Sequence, residues 1–362
     1  MATRLDKARL EASPISAVDL FCGAGGLTHG LLRAGISVEA GIDLDPAAEH
    51  AYTRNNAGAA FHKWDVSQKN SRSIKKLFRE GKYKLLAGCA PCQPFSNLTN
   101  GIKKHRAWDL LDYFGRFVRG VEPDLVTMEN VPELERRGAS VLEEFRSTLE
   151  RRGYKIACKV VQCADYGAPQ TRRRLVLLAS KLGPIEIPDG TFRPSRWRTV
   201  RNAIGDLPGV DAGGQDPKDP LHTAAQLSPM NLKRVKATPL DGGSHADWPK
   251  SLMLACHLRE TGERYRSIYG RMWWDKPAPT MTTLCNGIGN GRFGHPEQDR
   301  AITLREAAII QTFPREYEFW PADQRLPTKA VARMIGNAVP PRLAHALGRA
   351  LLDHVRQYDA SK

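Results

Sequence analysis

The stretch Ala17–Gly30, AVDLFCGAGGLTHG, decides how the first half of the chain folds. Its apolar start is typical of a buried β-strand, and three glycines, Gly23, Gly25 and Gly26, follow as a turn. The residues THGLLRAG then have the pattern of a helix that ends at Gly35. Glycines at such a turn let the backbone approach a ligand closely, and the helix N-terminus offers free N–H groups.

The same strand–helix alternation continues outward from this stretch as far as residue 180. Strand-like runs lie at 37–45, 84–91, 123–131 and 173–180. Helical patterns lie between them at 47–56, 108–121 and 139–153. Alternation at this spacing predicts an α/β fold with a doubly wound, mostly parallel sheet of the Rossmann-like kind. We assign residues 1–184 to this domain.

The composition and the hydrophobic pattern of the sequence change after residue 184. Residues 184–250 are rich in Pro, Gly and Asp, which would also suit a disordered linker. The length of the segment and its tryptophans favour a second, smaller and irregular domain over 185–300. Regular helical patterns resume in 301–362, which we expect to return to the first domain.

The balance of charge indicates a polyanionic partner. The chain has 54 Lys and Arg against 39 Asp and Glu, a formal net charge of +15. Nucleic acid is the first candidate and an acidic membrane surface the second, although an enzyme that is simply basic would show the same excess. No apolar run is long enough for a membrane span, and the N-terminus lacks the apolar core of a secretory signal, so we expect a cytosolic protein.

Acidic residues follow the strands next to the glycine turn. Asp43 and Asp45 end the second strand, and Asp65 ends the next unit. In doubly wound folds an acid at this position binds ribose hydroxyls, so we expect Asp43 at a ribose and Asp65 facing a base. A helix N-cap is the alternative for each, most of all for Asp45 before Pro46. The dinucleotide fingerprint G-x-G-x-x-G is broken at Thr28, so the pattern predicts a nucleoside-containing cofactor without naming it.

Two cysteines in CAPCQPFS, Cys89 and Cys92, allow three interpretations. A zinc site needs about four ligands, and the other cysteines have no matching spacing. A redox pair normally opens a thioredoxin-like unit, whereas this one follows a nucleotide-binding half. Cys92 therefore fits best as a nucleophile at the carboxyl end of a strand.

A carboxylate and two arginines complete this set of reactive groups. Glu129 ends the next strand, and Arg172 and Arg174 start another, where their i, i+2 spacing predicts that both face one side. A single glutamate at a strand end is usually just solvated, and paired arginines are usually a surface patch. Thiol, carboxylate and guanidinium groups together at the strand ends of one sheet indicate a reactive site.

These motifs resemble those of the DNA (cytosine-5) methyltransferase family, in the same order along almost the whole chain. DLFCGAGG is similar to the cofactor glycine motif and GIDLD to the ribose-binding acid. CAPCQPFS resembles the Pro-Cys-Gln motif, ENV the glutamate motif and QTRRR the Q-x-R-x-R motif. RAITLREAAIIQTFP and RMIGNAVPP resemble the two late motifs. The family often has glycine in place of Cys89, which we therefore expect to be structural.

The resemblance implies a fold, a cofactor and a reaction. The fold would be that of S-adenosylmethionine-dependent methyltransferases, with 185–300 as the target-recognition domain. The residues expected to bind S-adenosyl-L-methionine are Phe21, Gly23, Gly25, Gly26, Asp43, Leu44, Asp65, Val66, Pro91, Leu110 and Asn337. Cys92 would add to carbon 6 of a flipped cytosine while Glu129 holds the ring nitrogen and exocyclic amine. Arg172 and Arg174 would hold the carbonyl oxygen of the base and position Cys92 or Glu129.

The resemblance also implies that the substrate is double-stranded DNA and that the enzyme binds it as a monomer. The protein would be cytoplasmic and associated with the nucleoid, and a cognate restriction endonuclease would be its functional partner. The residues expected to contact DNA are Gln93, Ser96, Lys103, Lys104 and Arg106 in a closing loop, and Arg193, Arg196 and Arg198 in the recognition domain. Contact with phosphates alone is the alternative for each arginine. A tRNA cytosine-5 methyltransferase and a nicotinamide-dependent oxidoreductase are the alternative functions.

Overall fold

The computed structural model describes residues 10–90, 105–255, 257–258 and 267–362, and the side chains of 105–109 lie outside the description. The chain divides into two compact units. Unit 1 comprises residues 1–166, 173–190 and 339–362, and unit 2 comprises 167–172 and 191–338.

Unit 1 is built on a seven-stranded sheet with the order β3-β2-β1-β4-β5-β7-β6. The strands are β1 (Ile15–Leu20), β2 (Ser37–Asp43), β3 (Ala60–Lys63), β4 (Tyr83–Gly88), β5 (Leu125–Asn130), β6 (Lys155–Gln162) and β7 (Arg173–Ser180). The first five pair in parallel, whereas β7 runs antiparallel to both β5 and β6. The α/β prediction is thus confirmed, and the strand order reverses direction between β1 and β4.

Helices cover the sheet of unit 1. They span Gly26–Ala34, Ala48–Asn55, Ser71–Lys75, His105–Val121, Leu134–Arg137, Ala139–Glu150 and Pro341–Ala360. One apolar core joins alternate strand residues such as Val18 and Leu86 to Phe114 and Phe145, whose rings lie 5.3 Å apart between centroids. The strand residues of opposite parity face the other side of the sheet.

The C-terminal helix Pro341–Ala360 packs closely on helix Gly26–Ala34. A Cβ added at Gly30 would lie 2.3 Å from the side chain of Ala344, so no larger residue fits there without a shift of backbone. Gly30, in the helix that follows the glycine turn, is therefore needed for packing against the returning end of the chain.

Unit 2 has little regular structure. Its helices are Val200–Ile204, Pro229–Ala237, Leu304–Ile310 and Thr328–Asn337, and its strands β8 (Gln215–Asp216) and β9 (Asp219–Thr223) form one antiparallel pair. Buried arginines bind the irregular segments of this unit to one another. The guanidinium of Arg300, for example, pairs with both oxygens of Glu306 at 2.7 and 2.8 Å, and both side chains are buried.

The units differ from the expected domains in two places. The first boundary lies at 190 and leaves 167–172 in unit 2, whereas 184 was expected. Residues 301–338 also belong to unit 2, because the Arg300–Glu306 pair and the contact of Arg305 with Asp219 hold helix Leu304–Ile310 there. In the described part of the chain no helix is long and apolar enough to cross a membrane.

Candidate active site and cofactor turn

The glycine turn after β1 is fixed by a carboxylate at the end of β2. The N–H of Gly23 donates to Oδ2 of Asp43 at 2.8 Å, and the N–H of Asp45 donates to its Oδ1 at 2.9 Å. Phe21, Gly23 and Gly25 have φ angles of 59°, 50° and 86°. Left-handed backbone suits glycine and is uncommon for phenylalanine. The hydrogen bond from Gly23 to Asp43 ties the turn that holds this conformation to the end of β2.

The space beside this turn suits a nucleoside cofactor. A Cβ added at Gly23 would find no atom of the described residues within 4 Å, so the backbone there borders open space. Leu44, directly after Asp43, is 62% exposed, which is unusual for a large apolar side chain and suits stacking on a flat ring. Burial raises the pKa of Asp43, while the N–H donors of Asp45 and Gly23 act in the opposite direction.

The other acidic residues near the turn have local structural roles. Asp45 accepts from the N–H of Ala47 at 3.0 Å, next to the helix that begins at Ala48. Asp65 caps a short 3₁₀ helix by accepting from the N–H of Ser67 at 2.9 Å. The N-cap alternative is therefore confirmed for Asp65, whereas the N-cap of the helix after Asp45 is Ala47. The predicted contact of Asp65 with a base stays a prediction.

The remaining expected cofactor residues lie in several places. Gly26 is buried at the start of helix Gly26–Ala34, and Val66 is a buried member of the apolar core of unit 1. Phe21 and Leu110 pack against that core while partly exposed. Asn337 is the exposed last residue of helix Thr328–Asn337 in unit 2, and Pro91 lies outside the described residues.

A buried carboxylate stands where β5 meets β7. Glu129 is opposite Val176 in the antiparallel register, near the start of β7, and is 3% exposed. Its Oε1 lies 2.8 Å from Nε of Arg174, whose side chain is also largely buried. The thiol of Cys89, directly after β4, donates to the other oxygen, Oε2, at 2.8 Å. The sheet thus brings together Glu129 and Arg174, which were both predicted site residues, and the thiol of Cys89, for which no contact was predicted.

Glu129 can accept a further hydrogen bond although it is paired with Arg174. The contact between Oε1 and Arg174 is close but not aligned as a hydrogen bond, and among the described residues this buried oxygen has no hydrogen-bond donor. Because a carboxylate oxygen has two lone pairs, Oε1 retains the capacity to accept from an N–H of a ligand.

Asn130, which the sequence places beside Glu129 at the end of the same strand without a role of its own, is a further site residue. Its Nδ2 donates to the carbonyl of Ala90 at 3.1 Å, and its Oδ1 accepts from the N–H of Val131 at 2.8 Å. Asn130 is buried and so ties the chain just before Pro91 and Cys92 to the end of β5. Its position beside Glu129 in MENV was the available signal.

A sequence model of C-5 cytosine-specific DNA methylases matches residues 15–353. The type II methylase M.HgiDII of Herpetosiphon aurantiacus is 49% identical over 343 residues, which cover 94% of this chain and 95% of that protein. The type II methyltransferase M1.HphI of Haemophilus parahaemolyticus is 32% identical over 96% of this chain and 89% of its own length. The chain belongs to the C-5 cytosine-specific DNA methylase family.

Solved structures agree with this assignment at the level of the fold. An E. coli prophage protein described as a DNA modification methyltransferase aligns with a TM-score of 0.70 at 22% identity, over 94% of this chain and 99% of that one. DNMT2 of Spodoptera frugiperda aligns with a TM-score of 0.64 at 17% identity, over 93% and 99%. The family match and the 49% identity to a type II methylase show that the chain is a DNA cytosine-5 methyltransferase, and they support this function over the tRNA and oxidoreductase alternatives.

In this methyltransferase the two arginines of the Q-x-R-x-R motif do not share a strand, which corrects the i, i+2 prediction. Strand β7 begins at Arg173, so Arg172 lies before the strand and belongs to unit 2. Its buried guanidinium donates to the carbonyls of Met281 and Gly336 at 2.8 and 2.9 Å. These contacts tie the loop at Met281 to the last turn of helix Thr328–Asn337 within unit 2, whereas Arg174 contacts Glu129. The expected contact of Arg172 with a base stays a prediction.

Most of the predicted DNA contacts of the methyltransferase remain expectations. Cys92, Gln93, Ser96, Lys103 and Lys104 lie outside the described residues, as does the side chain of Arg106. In unit 2, Arg193 and Arg196 are exposed, and Arg198 is partly buried with its guanidinium 5.9 Å from the ring centre of Phe192.

Proposed function

We propose that this methyltransferase transfers a methyl group from S-adenosyl-L-methionine to carbon 5 of a cytosine in duplex DNA, through a covalent adduct of Cys92. The observation that carries the proposal is the buried carboxylate of Glu129, held between Arg174 and Cys89 at the end of β5. In the sequence, Cys89 comes just before the Pro-Cys-Gln motif. The cofactor would supply an electrophilic methyl group. The residues of the chain must then make carbon 5, a poor nucleophile, reactive.

Cys92 would make carbon 5 reactive by adding its thiolate to carbon 6 of the base. Cytosine inside a duplex is shielded, so the base must first leave the helix, at a cost of a few kcal/mol for unstacking. Glu129, in its protonated form, would give its proton to the ring nitrogen and accept a hydrogen bond from the exocyclic amine, so that no free anion develops on the ring. Arg174 would keep that carboxylate in place and face the carbonyl oxygen of the base. After methyl transfer, solvent takes the proton from carbon 5, the electron pair of that bond forms the double bond between carbons 5 and 6, Cys92 leaves as a thiolate, and the ring nitrogen returns its proton to Glu129.

The glycine turn would bind the cofactor. Gly23 and Gly25 let the backbone approach it, Leu44 offers an exposed apolar surface to the adenine, and Asp43 retains lone pairs for a ribose hydroxyl. Asn130 would position Cys92 through its hydrogen bond to Ala90. None of these roles requires a metal ion.

Residues 185–300 would read the target sequence. This segment has little regular structure, and its exposed Arg193 and Arg196 suit guanine or phosphate contacts. A cognate restriction endonuclease would be the functional partner, which the similarity to type II methylases supports. The enzyme would act as a monomer on DNA in the cytoplasm, at the nucleoid.

Two assays of DNA from cells that express the protein test this proposal. Mass spectrometry of the nucleosides should find 5-methylcytosine, and bisulfite sequencing should place it in one recurring sequence. Cells that express Glu129→Gln serve as the control. Methylation of adenine, or of the exocyclic nitrogen of cytosine, in place of carbon 5 would contradict the proposal.

A further inference from the structure

Cys89 contacts the proposed catalytic carboxylate in a way that the expected packing role does not explain. Its thiol donates to Oε2 of Glu129 at 2.8 Å, while Arg174 occupies the side of Oε1. Cys89 is partly buried directly after β4, and Glu129 is the fifth residue of β5. Because β4 and β5 are adjacent parallel strands, the thiol reaches the carboxylate from the neighbouring strand end.

The last torsion of a glutamate side chain is soft. Rotation about a bond between an sp³ and an sp² carbon has broad minima, so one contact leaves the carboxylate plane poorly defined. Two contacts, one on each oxygen, fix both the position and the plane. Arg174 alone cannot do so, since its approach to Oε1 is not aligned as a hydrogen bond.

We propose that Cys89 is a positioning residue, whose thiol fixes the plane of the Glu129 carboxyl group so that, on the flipped cytosine, it can give a proton to the ring nitrogen and accept a hydrogen bond from the amine. This inference rests on the proposed function. It assigns to Cys89 no bond to substrate or cofactor, and Glu129 remains the residue that contacts the base.

Substitutions at Cys89 separate positioning from packing. Cys89→Ala removes the donor and should lower the rate of methyl transfer in a single turnover by about two- to tenfold, the range for one modest hydrogen bond. The affinity for S-adenosylmethionine should stay within about twofold of that of the wild type. Cys89→Ser keeps a donor and should restore the rate to within about twofold. Cys158→Ala, which removes a partly buried thiol from β6, is the matched control.

The hydrogen bond itself is measurable without activity. The S–H stretching band of Cys89 appears in the infrared difference between the wild type and Cys89→Ala, and it should move to higher frequency in Glu129→Gln, where the acceptor is weaker. A band that does not move overturns the contact. A wild-type rate in Cys89→Ala, or equal losses in Cys89→Ala and Cys89→Ser, overturns the positioning role. Failure of the proposed function would appear separately, as a wild-type protein that makes no 5-methylcytosine.

Discussion

Replacement of Glu129 by glutamine tests the chemistry of the site most sharply. The carboxylate has two close partners, Arg174 at 2.8 Å on Oε1 and the thiol of Cys89 at 2.8 Å on Oε2. A glutamine can turn its oxygen toward only one of these donors, and its NH₂ group must face the other. One charge-assisted contact is then replaced by a neutral one and the other is lost, so the folded state should lose about 1–3 kcal/mol.

The effect of Glu129→Gln on catalysis should be larger than its effect on stability. Loss of a positioned acid–base group lowers rates by about 10²–10⁴-fold, and we expect single-turnover methyl transfer to fall within that range. Transfer of a tritiated methyl group to plasmid DNA gives the rate, and calorimetric titration gives the affinity for S-adenosylmethionine, which should change little.

The matched control for that experiment is Glu143→Gln. Glu143 lies on helix Ala139–Glu150, its side chain is 66% exposed, and its contact with Arg146 is 3.9 Å, so the substitution removes the same charge from a weak surface pair. It should leave the rate and stability unchanged. A loss of cofactor affinity in Glu129→Gln as large as the loss of rate would refute the reasoning, because Glu129 would then belong to the cofactor site.

Three further predictions concern pH, stability and salt. Burial raises the pKa of Asp19 to about 7, although the hydroxyl of Thr28 donates to it, so the folded state holds a proton that the unfolded state releases near its ordinary pKa of 3.8. The contribution of Asp19 to the unfolding free energy is therefore full below about pH 4 and is lost as the pH rises to about 7. Asp19→Asn should stabilise the protein, relative to the wild type, by up to about 4 kcal/mol more at pH 8 than at pH 4. The same difference in unfolding free energy at both pH values would contradict this. Glu306→Gln leaves the buried Arg300 without its counter-charge and should lower the unfolding free energy of unit 2 by about 3–5 kcal/mol in urea titrations, whereas Glu318→Gln, at an exposed position, serves as control. With a net charge of +15, DNA affinity should fall steeply between about 50 and 200 mM salt, and a flat titration would place the basic excess away from DNA.

Much of the fold of unit 1 was predictable because its central strands are buried on both faces. The apolar runs of β1, β4 and β5 have every residue buried or nearly so, and such runs between glycines and helices are easy to recognise. Strand β6 was missed: its residues, KIACKVVQ, are mostly only partly buried and form no continuous apolar run. Its position at the sheet edge explains that pattern, since one side of an edge strand has no neighbour.

The active site was predictable where a side chain lies at the end of a central strand. Glu129 and Arg174 were expected near each other, and β5 and β7 bring them into contact. Strand periodicity predicted that Arg172 faces the same side as Arg174. The prediction failed because Arg172 precedes β7, which begins at Arg173. The roles of Cys89 and Asn130 depend on the register between β4 and β5, which a single sequence does not specify.

The direct test of the account is whether Cys92 forms a covalent bond with the target base. DNA in which every cytosine has fluorine at carbon 5 lets the thiolate add and the methyl group transfer, but the fluorine cannot leave as a proton does, so the adduct persists. With S-adenosylmethionine, the wild-type protein should migrate with the DNA on a denaturing gel, peptide mapping should locate the linkage at Cys92, and Cys92→Ser should form no adduct although it still binds DNA. An adduct that survives in Cys92→Ser, or one that maps to Cys89, would contradict the account.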